Sequence, residues 1–86
     1  MQDSSGTHGV SLGQTAVYQI VVQGCLAEQL AECLGGLRLQ VSPGVHGGAA
    51  TTLTGRLRDQ AQLIGVLNAL YEMRVPILSL ELLDVE

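Results

Sequence analysis

Residues 17–24, VYQIVVQG, are dominated by β-branched side chains, and apolar positions alternate in part with amides. Such a run favours a strand. Tyr18, Ile20 and Val22 would face a core, and Val17, Gln19, Val21 and Gln23 the opposite side. In CLAEQLAECLGG, residues 25–36, Leu26, Leu30, Cys33 and Leu34 recur at helical spacing. Gly35 and Gly36 supply the left-handed conformation that ends helices, so a helix over 25–36 is expected. Glu28 and Glu32 repel at i, i+4, which sends that face to water. LRLQV, residues 37–41, alternates cleanly, with Leu37, Leu39 and Val41 inward and Arg38 and Gln40 outward. SPGVHGGAA, residues 42–50, carries the residues of a turn-rich connection. TTLTGRL, residues 51–57, is the next strand, with Leu53 and Leu57 inward and Thr52, Thr54 and Arg56 outward. Gly55 marks a bulge or a helix packed close to the backbone. Asp59 then caps a second helix, and Gln62 three residues later suits a capping-box exchange. Leu63, Val66, Leu67, Leu70 and Tyr71 supply its apolar stripe. Arg74 suits the negative end of the helix dipole, and Pro76 stops the helix. ILSLELL, residues 77–83, closes the series as a strand with Leu78, Leu80 and Leu82 inward.

The order strand, helix, strand, strand, helix, strand makes two interleaved right-handed βαβ units. The fold class expected is α+β: a ferredoxin-like βαββαβ sandwich, a four-stranded antiparallel sheet with two helices on one face. Residues 1–14, MQDSSGTHGVSLGQ, hold only isolated apolar side chains and are expected to be a disordered tail containing His8. Residues 15–86 are then one domain, the natural division for an 86-residue chain.

Composition narrows the chemistry. Tyr18 and Tyr71 are the two aromatic residues, so the core must be aliphatic. A domain this small gains stability by self-association. Net charge is −4, with four arginines and no lysine. Phosphate neutralisation needs clustered cations, so nucleic-acid binding is not expected, nor is attachment to anionic membranes. No apolar run reaches the roughly 18 residues of a membrane span, and no signal peptide is expected at the N-terminus. Cys25 and Cys33, on one helix, would stand roughly 12 Å apart along the axis. That exceeds the Cα separation of about 7 Å a disulfide tolerates. Two reduced thiols suit a cytoplasmic location.

TTLTGRLRDQAQLIGVLNAL followed by PILSLELLD resembles a group of small stand-alone bacterial proteins of unknown function. They share a Thr-Thr-Leu-Thr-Gly strand, an Asp-Gln-Ala helix start and a Pro-(Leu/Ile)-Leu-Ser segment. The resemblance covers about residues 17–84. It implies the ferredoxin-like fold and a bacterial cytoplasmic origin, and it implies no catalytic residue.

Candidate chemistry is sparse. Gly24-Cys25 follows the first strand, where heavy-metal domains of the same strand order carry Cys-x-x-Cys. Here Leu26, Ala27 and Glu28 follow, so the second thiolate that a soft cation needs is missing. No metal and no cofactor are expected. Cys25 could still be a reactive thiol if it opens a helix, while Cys33 suits a small core position. PGVHGG, residues 43–48, lacks the lysine and following helix of a phosphate loop. His46 has no neighbouring acid to orient it as a general base. RNA-recognition domains stack bases on sheet aromatics, and the outward positions here carry none.

The open face of the sheet holds the remaining signal. Its expected members include Val17, Gln19, Val21, Gln23, Arg38, Gln40, Thr52, Thr54, Arg56, Ile77, Ser79, Glu81 and Leu83. It mixes aliphatic and uncharged polar groups with few charges, although antiparallel sheets also tolerate a solvated face. Val21, Arg38, Arg56, Ile77, Glu81 and Leu83 are candidate contacts of a homodimer through this face or an edge strand. A two-fold operation could bring Glu81 towards an arginine of the partner. The expected function is therefore a non-enzymatic oligomeric binding or regulatory module, acting on a protein or small-molecule ligand. The alternative is a small dimeric enzyme with a pocket between sheet and helices, drawing on Arg38, Arg56, His46 and Glu81.

Overall fold

The computed structural model describes residues 13–27, 34–44 and 47–86. Four strands, β1 (Ala16–Gln23), β2 (Arg38–Pro43), β3 (Ala49–Leu57) and β4 (Ile77–Val85), form one antiparallel sheet in the order β2-β3-β1-β4. A single helix, α1 (Gln60–Glu72), occurs among the described residues. The expected two-helix ferredoxin-like βαββαβ sandwich is therefore corrected to a four-stranded antiparallel sheet with one helix among the described residues. Residues 25–27 carry no regular structure, and residues 34–36 form a turn. The segment after β1 is tied to the sheet instead. Gly24 takes a positive φ of 101°. Its carbonyl accepts from the Thr51 hydroxyl, and the Leu26 N–H donates to that same hydroxyl. Positions 28–33 of the expected first helix, Cys33 among them, lie outside the described residues, as do residues 1–12 of the expected tail, with His8, and His46.

The core lies where the alternation of β1 places it. Ala16, Tyr18, Ile20 and Val22 are buried on one side of the sheet, with Leu53 and Leu57 of β3 and Leu63, Val66 and Leu70 of α1. Leu34 and Leu37, on either side of a two-glycine turn, complete it. The helical stripe is narrower than its spacing suggested: Leu67 is half-buried, and Tyr71 is 77% exposed. Gly55 pairs with Tyr18 across β1 and β3. The pairing is regular there, with no bulge, and the space a side chain at 55 would enter is taken by Leu37 rather than by a helix.

Both ends of α1 follow local chemistry. The Asp59 carboxylate accepts from the Gln62 N–H at 2.9 Å. The Gln62 side-chain oxygen accepts from the Arg58 N–H at 2.8 Å. The reciprocal half of the capping exchange thus falls one residue before the cap itself. At the other end, the Arg74 N–H donates to the Tyr71 carbonyl and the Val75 N–H to the Leu70 carbonyl. These are the two bonds of a Schellman stop, and they require a left-handed residue at position 74. That residue is Arg74, with φ 62°. Its role is thus set more by backbone conformation than by charge near the helix dipole. Replacing Arg74 with Gly removes a Cβ penalty of about 1–2 kcal/mol, partly offset by a more flexible unfolded chain. The expected result is a gain of about 1 kcal/mol, read as a higher urea midpoint at unchanged slope.

Candidate interaction surface

The strand registers define which residues share the open face. Directly paired residues project to the same side of a sheet. One row runs Arg38, Thr54, Gln19, Glu81, from β2 through β3 and β1 to β4. The next runs Gln40, Thr52, Val21, Ser79. A third joins Arg56, Val17 and Asp84. The open face therefore carries its arginines on the β2–β3 half and its acids on β4. The Arg56 guanidinium donates to the Glu86 carboxylate of the same chain. Such an exposed pair contributes little to stability. Arg38 and Glu81 stand at opposite edges, three strand spacings apart, which is roughly 14 Å.

The β1–β4 register slips twice, between Val17 and Tyr18 and between Val21 and Val22. Leu83 and Leu78 are the unpaired residues of β4 at those two irregularities. Each inserted residue inverts the phase of the strand beyond it. Ile77 consequently pairs with Val22, on the helix side of the sheet rather than the open face. Of the six candidate contacts, Val21, Arg38, Arg56 and Glu81 share the open face, Ile77 lies on the opposite one, and Leu83 occupies a bulge.

The helix side of β4 is also not the closed core that alternation suggested. Leu80 and Leu82 pair with Ile20 and Tyr18 and so share their side. Yet they are 46% and 42% exposed, and Leu78 is 56% exposed. The cause is position. The helix packs on β3, two strands away from β4, or about 10 Å. Every residue of β4 is exposed. Val41, expected inward, is also exposed, on the other edge strand, β2.

Among the described residues, six of the ten exposed large apolar side chains lie on β4: Ile77, Leu78, Leu80, Leu82, Leu83 and Val85. Sequence alternation assigned three of these to a core. The compositional signal was present nonetheless: residues 77–85 contain no lysine, arginine or proline, the usual guards of a free edge.

Two concavities flank this surface. One, of about 490 Å³, lies at the open-face end of the sheet between Val21, Gln23, Ser42, Ala50 and Leu78, and its lining is uncharged. The other, of about 530 Å³, lies at the end of α1 beside Tyr71, Glu72, Arg74 and Pro76. Cys25 is unbridged and exposed in the irregular segment after β1. No three His, Cys, Asp or Glu side chains converge among the described residues, and none of the helices described is long and apolar enough to cross a membrane.

These features define a small α+β protein whose distinguishing surface is a bare, aliphatic edge strand. The family model described as Domain of unknown function (DUF8691) matches residues 17–81, and the chain belongs to that family. No curated protein and no solved structure matches it.

Proposed function

We propose that this chain is a non-enzymatic binding module that works as a homo-oligomer through protein–protein contacts on its sheet. The observation that carries this is β4, a nine-residue strand exposed along its whole length, with six exposed aliphatic side chains. Apolar area of this kind on one continuous element marks an interaction site. Burying it gains roughly 25 cal/mol per Å² before the costs of association. The uncharged concavity beside Val21 and Leu78 adjoins the same strand and offers a place for a small ligand. A bacterial cytoplasmic setting, implied by the shared Thr-Thr-Leu-Thr-Gly and Asp-Gln-Ala segments, belongs to the same reading.

Sedimentation equilibrium over the micromolar range should show a dimer that dissociates on dilution. A monomer at every concentration removes the homo-oligomeric reading. A thermal-shift screen of amino acids and nucleotides then asks whether the concavity takes a ligand, which would raise the melting temperature with the logarithm of ligand concentration above its Kd.

A further inference from the structure

We infer that β4 pairs with β4 of a second copy of this chain, antiparallel about a two-fold axis beside Leu80, joining the two sheets edge to edge. This rests on the homo-oligomeric reading above and names the surface and the register.

The two edges of the sheet are β2 and β4, and they differ in kind. β2 has Arg38 at one end and Pro43 at the other, and proline has no N–H to offer a new strand. β4 has no proline and no basic residue, its guards being only Glu81, Asp84 and two bulges that flank the regular stretch 79–82, and it is longer, at nine residues against six. Pairing β4 with β2 of another copy would leave a free edge at each end and propagate into a filament. Pairing β4 with itself closes the assembly and leaves only the guarded β2 edges outside.

The register follows from geometry and charge. Between its two bulges, β4 runs regularly from Ser79 to Leu82 against Val21 to Tyr18. A two-fold axis normal to the sheet keeps each side of the sheet on its own side. Directly opposed residues must therefore face the same way, so the axis falls beside a residue, either Leu80 or Glu81. Centring on Glu81 sets two carboxylates directly opposite each other, at a Cβ separation of about 5 Å, which is destabilising. Centring on Leu80 sets Leu80 against the partner's Leu80 on the helix side. It also sets each Glu81 against the partner's Ser79 on the open face, where the hydroxyl can donate to the carboxylate. The helix-side residues Ile77, Leu80, Leu82 and Val85 of both copies then form one apolar strip across the joint.

Charge substitution at Ser79 tests this, because Ser79 is exposed and pairs with Val21 inside the subunit. In the inferred register each Ser79 meets Glu81 of the other copy, and it does so twice. Ser79→Glu should weaken dimerisation about tenfold, and Ser79→Lys should strengthen it several-fold. Circular dichroism should show the same secondary structure in all three proteins. Sedimentation equilibrium on the full chain reads the outcome. Opposite shifts of the two variants support the joint. A wild-type dimer that neither substitution moves, or that both move the same way, overturns it and leaves the oligomeric reading standing. A wild-type monomer throughout overturns both.

Discussion

Truncating Leu37 to alanine should destabilise the fold by about 2–5 kcal/mol, the range for a buried leucine whose site closes only partly. Leu37 is 2% exposed. It precedes β2, and its side chain lies across the backbone of β3 at Gly55. A Cβ built on Gly55 would stand 2.8 Å from Leu37 Cδ2 and 3.5 Å from Leu37 Cα. Gly55→Ala should therefore cost about 1–3 kcal/mol by forcing the leucine to shift, although a stiffer unfolded chain returns about 0.4–1 kcal/mol. The pair should not be additive. In the Leu37→Ala background the methyl introduced by Gly55→Ala has room and refills part of the void, so the double variant should be about 1–2 kcal/mol more stable than the sum of the singles. Urea denaturation of the four proteins measures the coupling. Additivity within about 0.5 kcal/mol would mean that the two residues do not share this space.

This contact also shows where sequence patterns carry information and where they stop. Gly55 within TTLTGRL announces a close approach, because a glycine inside a strand needs a reason. Which group approaches depends on how the turn at Gly35 and Gly36 returns the chain, and periodicity is silent on that. The inward set of β1 was legible, since Tyr18, Ile20 and Val22 share one side while the other carries Gln19 and Gln23, and the strand is central with the core beneath. The Asp59 cap was legible because it is a bond between residues three apart. Arg74 was legible only as a charge; its left-handed φ emerges from the two stop bonds to Tyr71 and Leu70. The two bulges in β4 were not legible. A run such as ILSLELLDV is too uniformly aliphatic for an inserted residue to show as a break in phase. Ile77 was therefore placed on the wrong side, and Leu80 and Leu82 were assigned a covering layer that the helix on β3 does not provide. The helix expected over 25–36 had real apolar spacing, yet residues 25–27 follow a competing set of contacts centred on a threonine of β3.

That threonine gives the second large effect. Thr51 is fully buried and makes two bonds to the segment after β1. Its hydroxyl donates to the Gly24 carbonyl at 2.7 Å and accepts from the Leu26 N–H at 3.2 Å. Thr51→Val preserves the shape and removes both bonds. Two backbone groups then lose their partner in a poorly solvated site, each at about 1–3 kcal/mol. The expected loss is about 2–4 kcal/mol, reduced to the extent that water reaches the half-buried Gly24 and Leu26. Thr51→Ser keeps the hydroxyl and gives up one methyl, for about 1 kcal/mol. The order of stability should be threonine, serine, valine. A purely apolar role for residue 51 predicts the reverse order of the two variants. Hydrogen exchange locates the effect: the Leu26 amide should exchange faster in Thr51→Val and stay protected in Thr51→Ser. The neighbouring Gly24 N–H, bonded to the Ala49 carbonyl, should change less in both. Cys25 sits between the two clamped residues, so its exposed thiol is presented by backbone bonds to β3 rather than by a helix start. Alkylation of Cys25 in Thr51→Val should therefore change with the local backbone while Thr51→Ser tracks the wild type, and equal rates in all three would show that the clamp does not fix the cysteine.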